Sequence, residues 1–208
     1  YFVHLDESIY SINESKKLKK ISTHRDLFNL LPITKPHINF TKKEIQKGEK
    51  YLNSLGIDKD AKIICLVVRD SAYQEKYLNS ADFDTRHNDY RNHDISNFLL
   101  AAEELTKRGY WVFRMGKAVN KKIKTFNPKI IDYANLKIRN DFLDIYLSYK
   151  CKFCIRTSGF GGVPQIFRRP TLIIGGGPLA DLVANGQRDM HLLQHYFSQE
   201  KNKKLTLS

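Results

Sequence analysis

Residues 62–68 read Lys-Ile-Ile-Cys-Leu-Val-Val, a continuous apolar run that is rich in β-branched side chains. Such a run is typical of a strand buried on both faces of a parallel sheet. Segments of the same kind follow at residues 110–114, 130–133, 151–155 and 171–174, and segments with helical spacing separate them. Strands that alternate with helices in this way predict βαβ units with right-handed crossovers. We therefore expect an α/β fold with a Rossmann-like parallel sheet flanked by helices.

The sheet-forming part of the chain is preceded by a different kind of sequence. Residues 1–40 are polar with scattered apolar residues, and we expect an irregular arm or the end of a preceding domain. Residues 41–44, Thr-Lys-Lys-Glu, have the form of a capping box and predict a helix start, and Gly56 predicts its end. The predicted Rossmann-like domain covers residues 41–178, and a helical tail covers residues 179–208.

The charge of the chain predicts an anionic partner without naming one. The 208 residues include 35 Lys and Arg against 22 Asp and Glu, a net charge of +13, with clusters at residues 16–20 and 117–129. Such a surface attracts nucleic acid, anionic lipid head groups or phosphorylated small molecules.

No run reaches the roughly 18 apolar residues of a membrane span. Three cysteines form no disulfide framework. We expect a cytoplasmic protein that can associate peripherally with the inner face of the membrane.

Polar residues follow three of the predicted strands. They are Arg69-Asp70-Ser71, Arg114-Met115-Gly116 and the glycine-rich segment at residues 156–162. Ligands of open α/β sheets bind beyond the carboxyl ends of the strands. Glycines let backbone amides approach an oxyanion, and arginine forms a bidentate fork with phosphate. The pattern predicts a phosphate site made by Arg69, Arg114, Gly116, Arg156, Thr157, Ser158, Gly159, Phe160, Gly161 and Gly162. The alternative is a tight turn packed on the sheet, with arginines in surface ion pairs.

The polar stretch at residues 69–93 shows few signs of regular structure. Its second half carries acids and imidazoles, of which Asp89 and His87 are the better candidates for a general base that deprotonates an acceptor hydroxyl. The alternative is a solvated loop that ends at Asp94 as a helix cap.

The spacing of Cys151 and Cys154 is that of a metal-binding pair, but no second Cys/His pair completes it. In one strand the two thiols would face opposite sides, so we expect core packing and no metal site.

Five blocks of sequence between roughly residues 60 and 175 match a known protein family in their order and with similar spacing. They read VVRDSAY at 67–73, DYRN at 89–92, AAEELTKRGY at 101–110, RMG at 114–116 and PQIFRRP at 164–170. Together they resemble a family of bacterial glycosyltransferases associated with surface polysaccharides. More distantly, the strand-plus-arginine and the late Ser-Gly loop resemble the donor-binding half of GT-B enzymes, including heptosyltransferases and fucosyltransferase-like proteins.

The resemblance implies a transferase that uses a nucleotide-sugar as donor substrate, with no cofactor and no obligatory metal, and a glycan or lipid-linked acceptor. By this analogy Arg69 and Arg114 neutralise the departing diphosphate, and residues 157–162 hold phosphate or ribose. Arg91 and Asn92 belong to one of the matching blocks and are assigned to ligand contact.

Two other functions stay open. The family's members are longer than this chain, and the chain begins at Tyr1, so a non-catalytic nucleotide- or phosphate-binding module from a truncated transferase is one alternative. A basic nucleic-acid-binding protein is the other, although no RRM, KH or zinc-finger signature supports it.

Overall fold

The computed structural model describes residues 30–78, 86–157, 159–176 and 188–205, and the predicted arm up to residue 29 lies outside the described residues. Within these ranges six strands form one sheet, and all neighbouring strands run parallel. Their order is β3-β2-β1-β4-β5-β6, that of a doubly wound Rossmann sheet. The predicted α/β fold with a Rossmann-like parallel sheet is confirmed. The strands are β1 (Lys62–Val67), β2 (Tyr110–Met115), β3 (Ile130–Ile131), β4 (Phe153–Arg156), β5 (Thr171–Gly176) and β6 (Met190–Leu193).

Helices flank the sheet on both faces. They are α1 (Leu30–Ile33), α2 (Lys42–Ser54), α3 (Ala72–Tyr77), α4 (Leu99–Lys107), α5 (Asp141–Lys150) and α6 (Val163–Ile166), with 3₁₀ turns at Arg86–Arg91, Ile95–Phe98, Tyr133–Asn135 and Gly159–Gly162. The predicted capping box is confirmed at the start of α2, where Glu44 Oε2 accepts the amide of Thr41 at 2.7 Å and Thr41 Oγ1 accepts the amide of Glu44 at 3.3 Å. None of the helices in the described ranges is long and apolar enough to cross a membrane.

The core consists of two apolar clusters, one on each face of the sheet. On one face, Leu52 of α2 and Leu147 of α5 pack in a cluster with Cys65 of β1. On the other face, Phe98 packs in a cluster with Leu66. Each large aliphatic side chain that is fully buried in this way contributes about 1.5–3 kcal/mol. The central strand β1 is therefore buried on both faces, as the apolar run at residues 62–68 predicts.

The segment between β1 and α4 is more regular than the sequence suggests. The prediction of an irregular loop over residues 69–93 is wrong within the described part, which contains α3 and the 3₁₀ turn Arg86–Arg91. Helix α3 begins where Asp70 Oδ1 accepts the amide of Ala72 at 3.1 Å. The aspartate after the strand thus supplies a local signal for the turn into a helix.

The two cysteines at residues 151 and 154 lie in the core, as predicted, but not in one strand. Cys151 ends α5 and donates its amide to the carbonyl of Leu147 at 2.9 Å, whereas Cys154 lies in β4. Both are fully buried in the same cluster, together with Cys65. The prediction that their thiols face opposite sides of a strand is wrong, because the strand begins only at Phe153.

The prediction of a helical tail is wrong for the part of it that the structure describes, residues 188–205. Strand β6 pairs in parallel with β5, and β7 (Phe197–Ser198) pairs antiparallel with β8 (Lys203–Lys204). Asp189 connects the strand to its neighbours, because its carboxylate accepts the amide of Thr171 at 2.9 Å and Nε2 of Gln165 at 2.7 Å. The conformation of β6 is therefore determined by a tertiary contact, its pairing with the edge of the sheet.

Candidate functional site

The site lies where the strand order changes direction, between β1 and β4. The amide of Thr157 donates to the carbonyl of Val67 at 3.0 Å, and the amide of Arg69 donates to Oγ1 of Thr157 at 2.8 Å. These bonds join the loops that follow the two strands. A cleft of about 690 Å³ opens at this switch point, which is where open α/β sheets bind their ligands.

Four separate segments bring predicted residues to the wall of this cleft. The floor is apolar and consists of Val67, Val68 and Met115. The predicted residues in the wall are Arg69, Arg91, Gly116, Gly159 and Phe160. The loops that the sequence marks as polar strand ends therefore do meet at one edge of the sheet.

Arg69 and Arg91 form the cationic part of the wall. Nη2 of Arg69 donates to Oε1 of Gln74 at 2.5 Å, which holds the guanidinium beside α3. Burial lowers the pKa of Arg69, and the positive charge of Arg91 lowers it further. Two like charges that destabilise each other in a half-buried cleft favour the binding of an anion between or beside them.

Arg114 does not belong to the cleft wall. It is 1% exposed, and its Nη1 lies 3.2 Å from Oδ1 of Asp132 and 3.0 Å from the carbonyl oxygen of Lys121. Its Nη2 lies 3.6 Å from Oδ2 of Asp70. The physical reason is its place inside β2, where the side chain is covered by the loop after the strand. Two carboxylates already neutralise this arginine, so its observed role is to organise that loop.

Arg156 and Thr157 stabilise the glycine-rich turn through contacts with neighbouring protein groups. Nη2 of Arg156 donates to Oε1 of Gln165 at 3.4 Å, and burial lowers the pKa of Arg156. A methyl group in place of the hydrogen of Gly161 would overlap the side chain of Arg156. Thr157 is buried, and its hydroxyl accepts the amide of Arg69. The glycine at 161 is therefore required by close packing.

The turn itself presents Gly159 and Phe160 to the cleft. Gly159 has a φ of 60°, the left-handed region that favours glycine. Gly162 directly precedes the four-residue helix α6. Ser158 lies outside the described residues.

Asp89, one of the two candidates for a general base, lies close enough to Arg69 for its charge to raise the pKa of that arginine. Asp89 is exposed, and its Oδ1 accepts Nδ2 of Asn92 at 3.1 Å. Neither residue is part of the cleft wall, although both flank Arg91 in the chain. The backbone of His87 lies in the same 3₁₀ turn, and its side chain lies outside the described part of the structure. The amide of His93 donates to the carbonyl of Arg69 at 2.8 Å, which ties this segment to the cleft.

The sequence interpretation missed the wall that the β3–α5 connection contributes. Nε of Arg139 donates to the carbonyl of Gly116 at 3.1 Å, and its Nη2 lies 3.2 Å from Oδ2 of Asp144 and 3.5 Å from Oδ1 of Asp141. Burial raises the pKa of Asp144, while a hydrogen bond with Tyr133 and the charge of Arg139 oppose that rise. The sequence did contain one signal for this wall. The connection follows a predicted strand, so it begins at the carboxyl edge of the sheet.

The described residues contain no group of three or more His, Cys, Asp or Glu side chains that could hold a metal ion. Burial raises the pKa of Cys154, which keeps its thiol protonated and unreactive. The expectation of a metal-independent, cofactor-free site stays a prediction.

No protein-family model matches the chain, and no curated protein matches it. Among solved structures, the chain is similar to a glycosyl transferase family 9 protein from Veillonella parvula DSM 2008, at 11% sequence identity and a TM-score of 0.45. The similarity covers 76% of this chain and 42% of that chain, so this chain spans less than half of that protein's length. The resemblance to polysaccharide-associated glycosyltransferases stays a prediction, and the assignment of the fold rests on the strand order and pairing described above.

Proposed function

We propose that this chain binds a nucleotide-sugar in the switch-point cleft and takes part in transfer of the sugar to a hydroxyl group of a glycan or lipid-linked acceptor, as a GT-B-like, metal-independent glycosyltransferase. The observation that carries the proposal is the meeting of Arg69, Arg91 and the turn Gly159–Gly162 at the carboxyl ends of β1 and β4. Guanidinium groups and glycine amides are the groups that bind phosphate in such sheets.

The charge balance of the cleft favours a diphosphate. Of the acids in its wall, Asp70 pairs with Arg114, and Asp144 pairs with Arg139. The third acid of the wall, Asp141, also lies near Arg139, and the basic residues of the wall, Arg69, Arg91, Lys117 and Arg139, outnumber its acids by four to three. A nucleoside diphosphate that leaves a sugar gains negative charge, and prearranged cations stabilise that charge without reorganisation.

In the proposed reaction, the acceptor oxygen forms a bond to the anomeric carbon while the bond from that carbon to the diphosphate oxygen breaks. The electron pair of the broken bond stays on the diphosphate, beside Arg69 and Arg91. The proton of the acceptor hydroxyl passes to Asp89, whose charge acts on Arg69 of the cleft wall, or to His87. Asp144 is engaged with Arg139 and supports the wall instead.

Thermal denaturation with UDP-, GDP-, ADP- and CMP-linked sugars tests donor binding. A ligand at 100 times its Kd adds about 2.7 kcal/mol to the unfolding free energy, and a chain of this size gains about 2–4 °C in Tm per kcal/mol. We expect one nucleotide class to raise Tm by about 5–10 °C. Arg69→Ala and Arg91→Ala should each weaken that binding by about 10- to 100-fold, the effect of a lost charged hydrogen bond.

Arg108→Ala is the matched control, because Arg108 caps the C-terminal end of α4, is exposed and pairs with Glu104, and it is not part of the cleft wall. It should leave the ligand-induced shift unchanged. No stabilisation by any nucleotide would refute the donor site, and stabilisation that survives both cleft substitutions would place the site elsewhere. Binding without donor hydrolysis or sugar transfer would instead support the non-catalytic binding module.

A further inference from the structure

The connection between β2 and β3 is the most basic segment of the described structure. Residues 117–129, which we call the basic loop, contain five lysines and no acid. Phe126 lies within this loop and is fully exposed, at 107% of its reference area. Leu100 of the neighbouring helix α4 is 83% exposed. Large apolar side chains are therefore presented to solvent beside a cluster of lysines.

The exposure of Phe126 is imposed by hydrogen bonds on both sides of it. Oγ1 of Thr125 donates to Oε1 of Glu103 at 2.9 Å, and Nδ2 of Asn127 donates to Oε2 of Glu103 at 2.5 Å. Nδ2 of Asn127 also lies 2.8 Å from Oγ1 of Thr106. Because the residues before and after Phe126 are both tied to α4, its ring must point away from the core.

The start of the loop is held by the buried ion pairs of Arg114. Asp132, the partner of Arg114, accepts the amide of Ile123 on Oδ2 at 3.0 Å, and Arg114 donates to the carbonyl of Lys121 at 3.0 Å. Ile123 packs against the core cluster of Phe98. Side chains alternate in direction along this extended segment. The side opposite Ile123 therefore carries exposed residues, among them Lys122, Lys124 and Phe126.

The surroundings of the loop add apolar surface, and the nearby acids are engaged with protein groups, Glu103 through its hydrogen bonds with Thr125 and Asn127. Leu100 lies three residues before Glu103, so the two side chains are neighbours on the surface of α4. A cavity of about 310 Å³ between α4 and the loop has apolar walls and opens beside Lys122 and Lys124. The neighbouring acid Glu104 is paired with Lys107 and Arg108 on α4, and Asp94 is paired with Lys121.

We propose that the basic loop and Leu100 form a docking surface for an anionic lipid bilayer. Phe126 and Leu100 enter the interfacial region, and Lys122 and Lys124 contact the head groups. Basic residues at an anionic membrane each contribute about 1 kcal/mol, and exposed apolar side chains add the burial of their own area. A single-stranded nucleic acid fits less well, because its binding needs several aromatic rings for base stacking, and Leu100 offers none.

Fluorescence of a single inserted tryptophan tests the proposal directly. The chain has one tryptophan, Trp111, so Phe126→Trp in a Trp111→Phe background places the reporter in the loop. Vesicles of phosphatidylcholine with phosphatidylserine should shift its emission to the blue, and vesicles of phosphatidylcholine alone should not. This measurement needs no nucleotide, so its outcome is independent of the proposed function.

Co-sedimentation with the same vesicles measures the contribution of the charges. Lys122→Glu with Lys124→Glu should weaken binding at least about 30-fold, the factor for two lost lysine contacts, and Phe126→Ser should weaken it about tenfold. Lys42→Glu with Lys50→Glu makes the same charge change on α2, on the opposite face of the sheet, and should weaken binding far less. Equal loss in both double variants would overturn the docking surface, as would an absence of vesicle binding. An emission shift with an oligonucleotide but not with vesicles would overturn it in favour of nucleic acid.

Discussion

Replacing Arg114 with methionine separates a structural arginine from a ligand-binding one. Methionine keeps much of the length of the side chain and removes the charge, which leaves Asp70 and Asp132 facing each other across the space that the guanidinium occupied. Their side chains are 17% and 19% exposed, against 1% for Arg114. The carboxylates are thus partly hydrated, and the loop loses its hydrogen bond to the carbonyl of Lys121.

The magnitude follows from this burial. Removal of one partner from a buried ion pair costs about 3–5 kcal/mol, and the partial hydration of the two acids favours the lower end. We expect the free energy of unfolding to fall by about 3 kcal/mol, and Tm to fall by about 6–12 °C for a chain of this length. Arg114→Lys keeps the charge but cannot reach both carboxylates and the carbonyl, so it should lose about half as much.

Urea unfolding followed by circular dichroism, together with thermal denaturation, measures both values. Arg108→Met is the control, because Arg108 makes only an exposed pair with Glu104 and should change stability by less than about 0.5 kcal/mol. The nucleotide-induced rise in Tm should persist in Arg114→Met. Unchanged stability combined with a lost nucleotide response would refute the reasoning and return Arg114 to the binding site.

Two further predictions concern residues next to the cleft. Gly161→Ala should lower the free energy of unfolding by about 1–3 kcal/mol in urea denaturation, because the added methyl overlaps the side chain of Arg156; an unchanged midpoint would contradict that packing. Burial, and then the charge of Arg69, lower the pKa of His93, so the fold favours the neutral imidazole. The stability that this provides is complete above the unfolded pKa of about 6.5 and is lost as the pH falls from there to the lowered value. Unfolding at pH 7.5 and 5.5 should show a smaller decline for His93→Gln than for the wild type, and an equal decline would exclude His93 as the cause.

Local patterns predicted the centre of the fold well. The run at residues 62–68 is apolar on both sides because β1 is covered by helices on both faces, and such a strand has no solvent-facing positions to interrupt the run. The capping box at Thr41 is likewise a contact between residues three apart, so the sequence contains both partners. Patterns of this kind can be recognised in the sequence because they depend on no distant residue.

The tail could not be predicted for the opposite reason. His191 of β6 and His195 beyond it stand four residues apart, a spacing compatible with a helix, but the strand conformation of β6 comes from pairing with β5. Asp189 contributes by accepting hydrogen bonds from Thr171 and Gln165, which are 18 and 24 residues away in the chain. No local pattern contains that information. The wall formed by Arg139 and Asp144 was missed in the same way, because its contact with Gly116 spans 23 residues.

The place of each arginine relative to the end of its strand explains why three similar residues behave differently. Arg69 lies two residues beyond the end of β1, whereas Arg114 lies inside β2 and Arg156 is the last residue of β4. A side chain within a strand points to a face of the sheet that helices and loops cover, so its charge must be met by nearby protein groups. A side chain beyond the strand stands at the open edge, where a ligand can meet it. A count of arginines near strand ends therefore overestimates the number that can bind phosphate, unless the last hydrogen-bonded residue of each strand is known. By that criterion Arg69 is the strand-end arginine that faces the cleft, with Arg91 of the 3₁₀ turn also in its wall, whereas Arg114 and Arg156 build the loops that surround it.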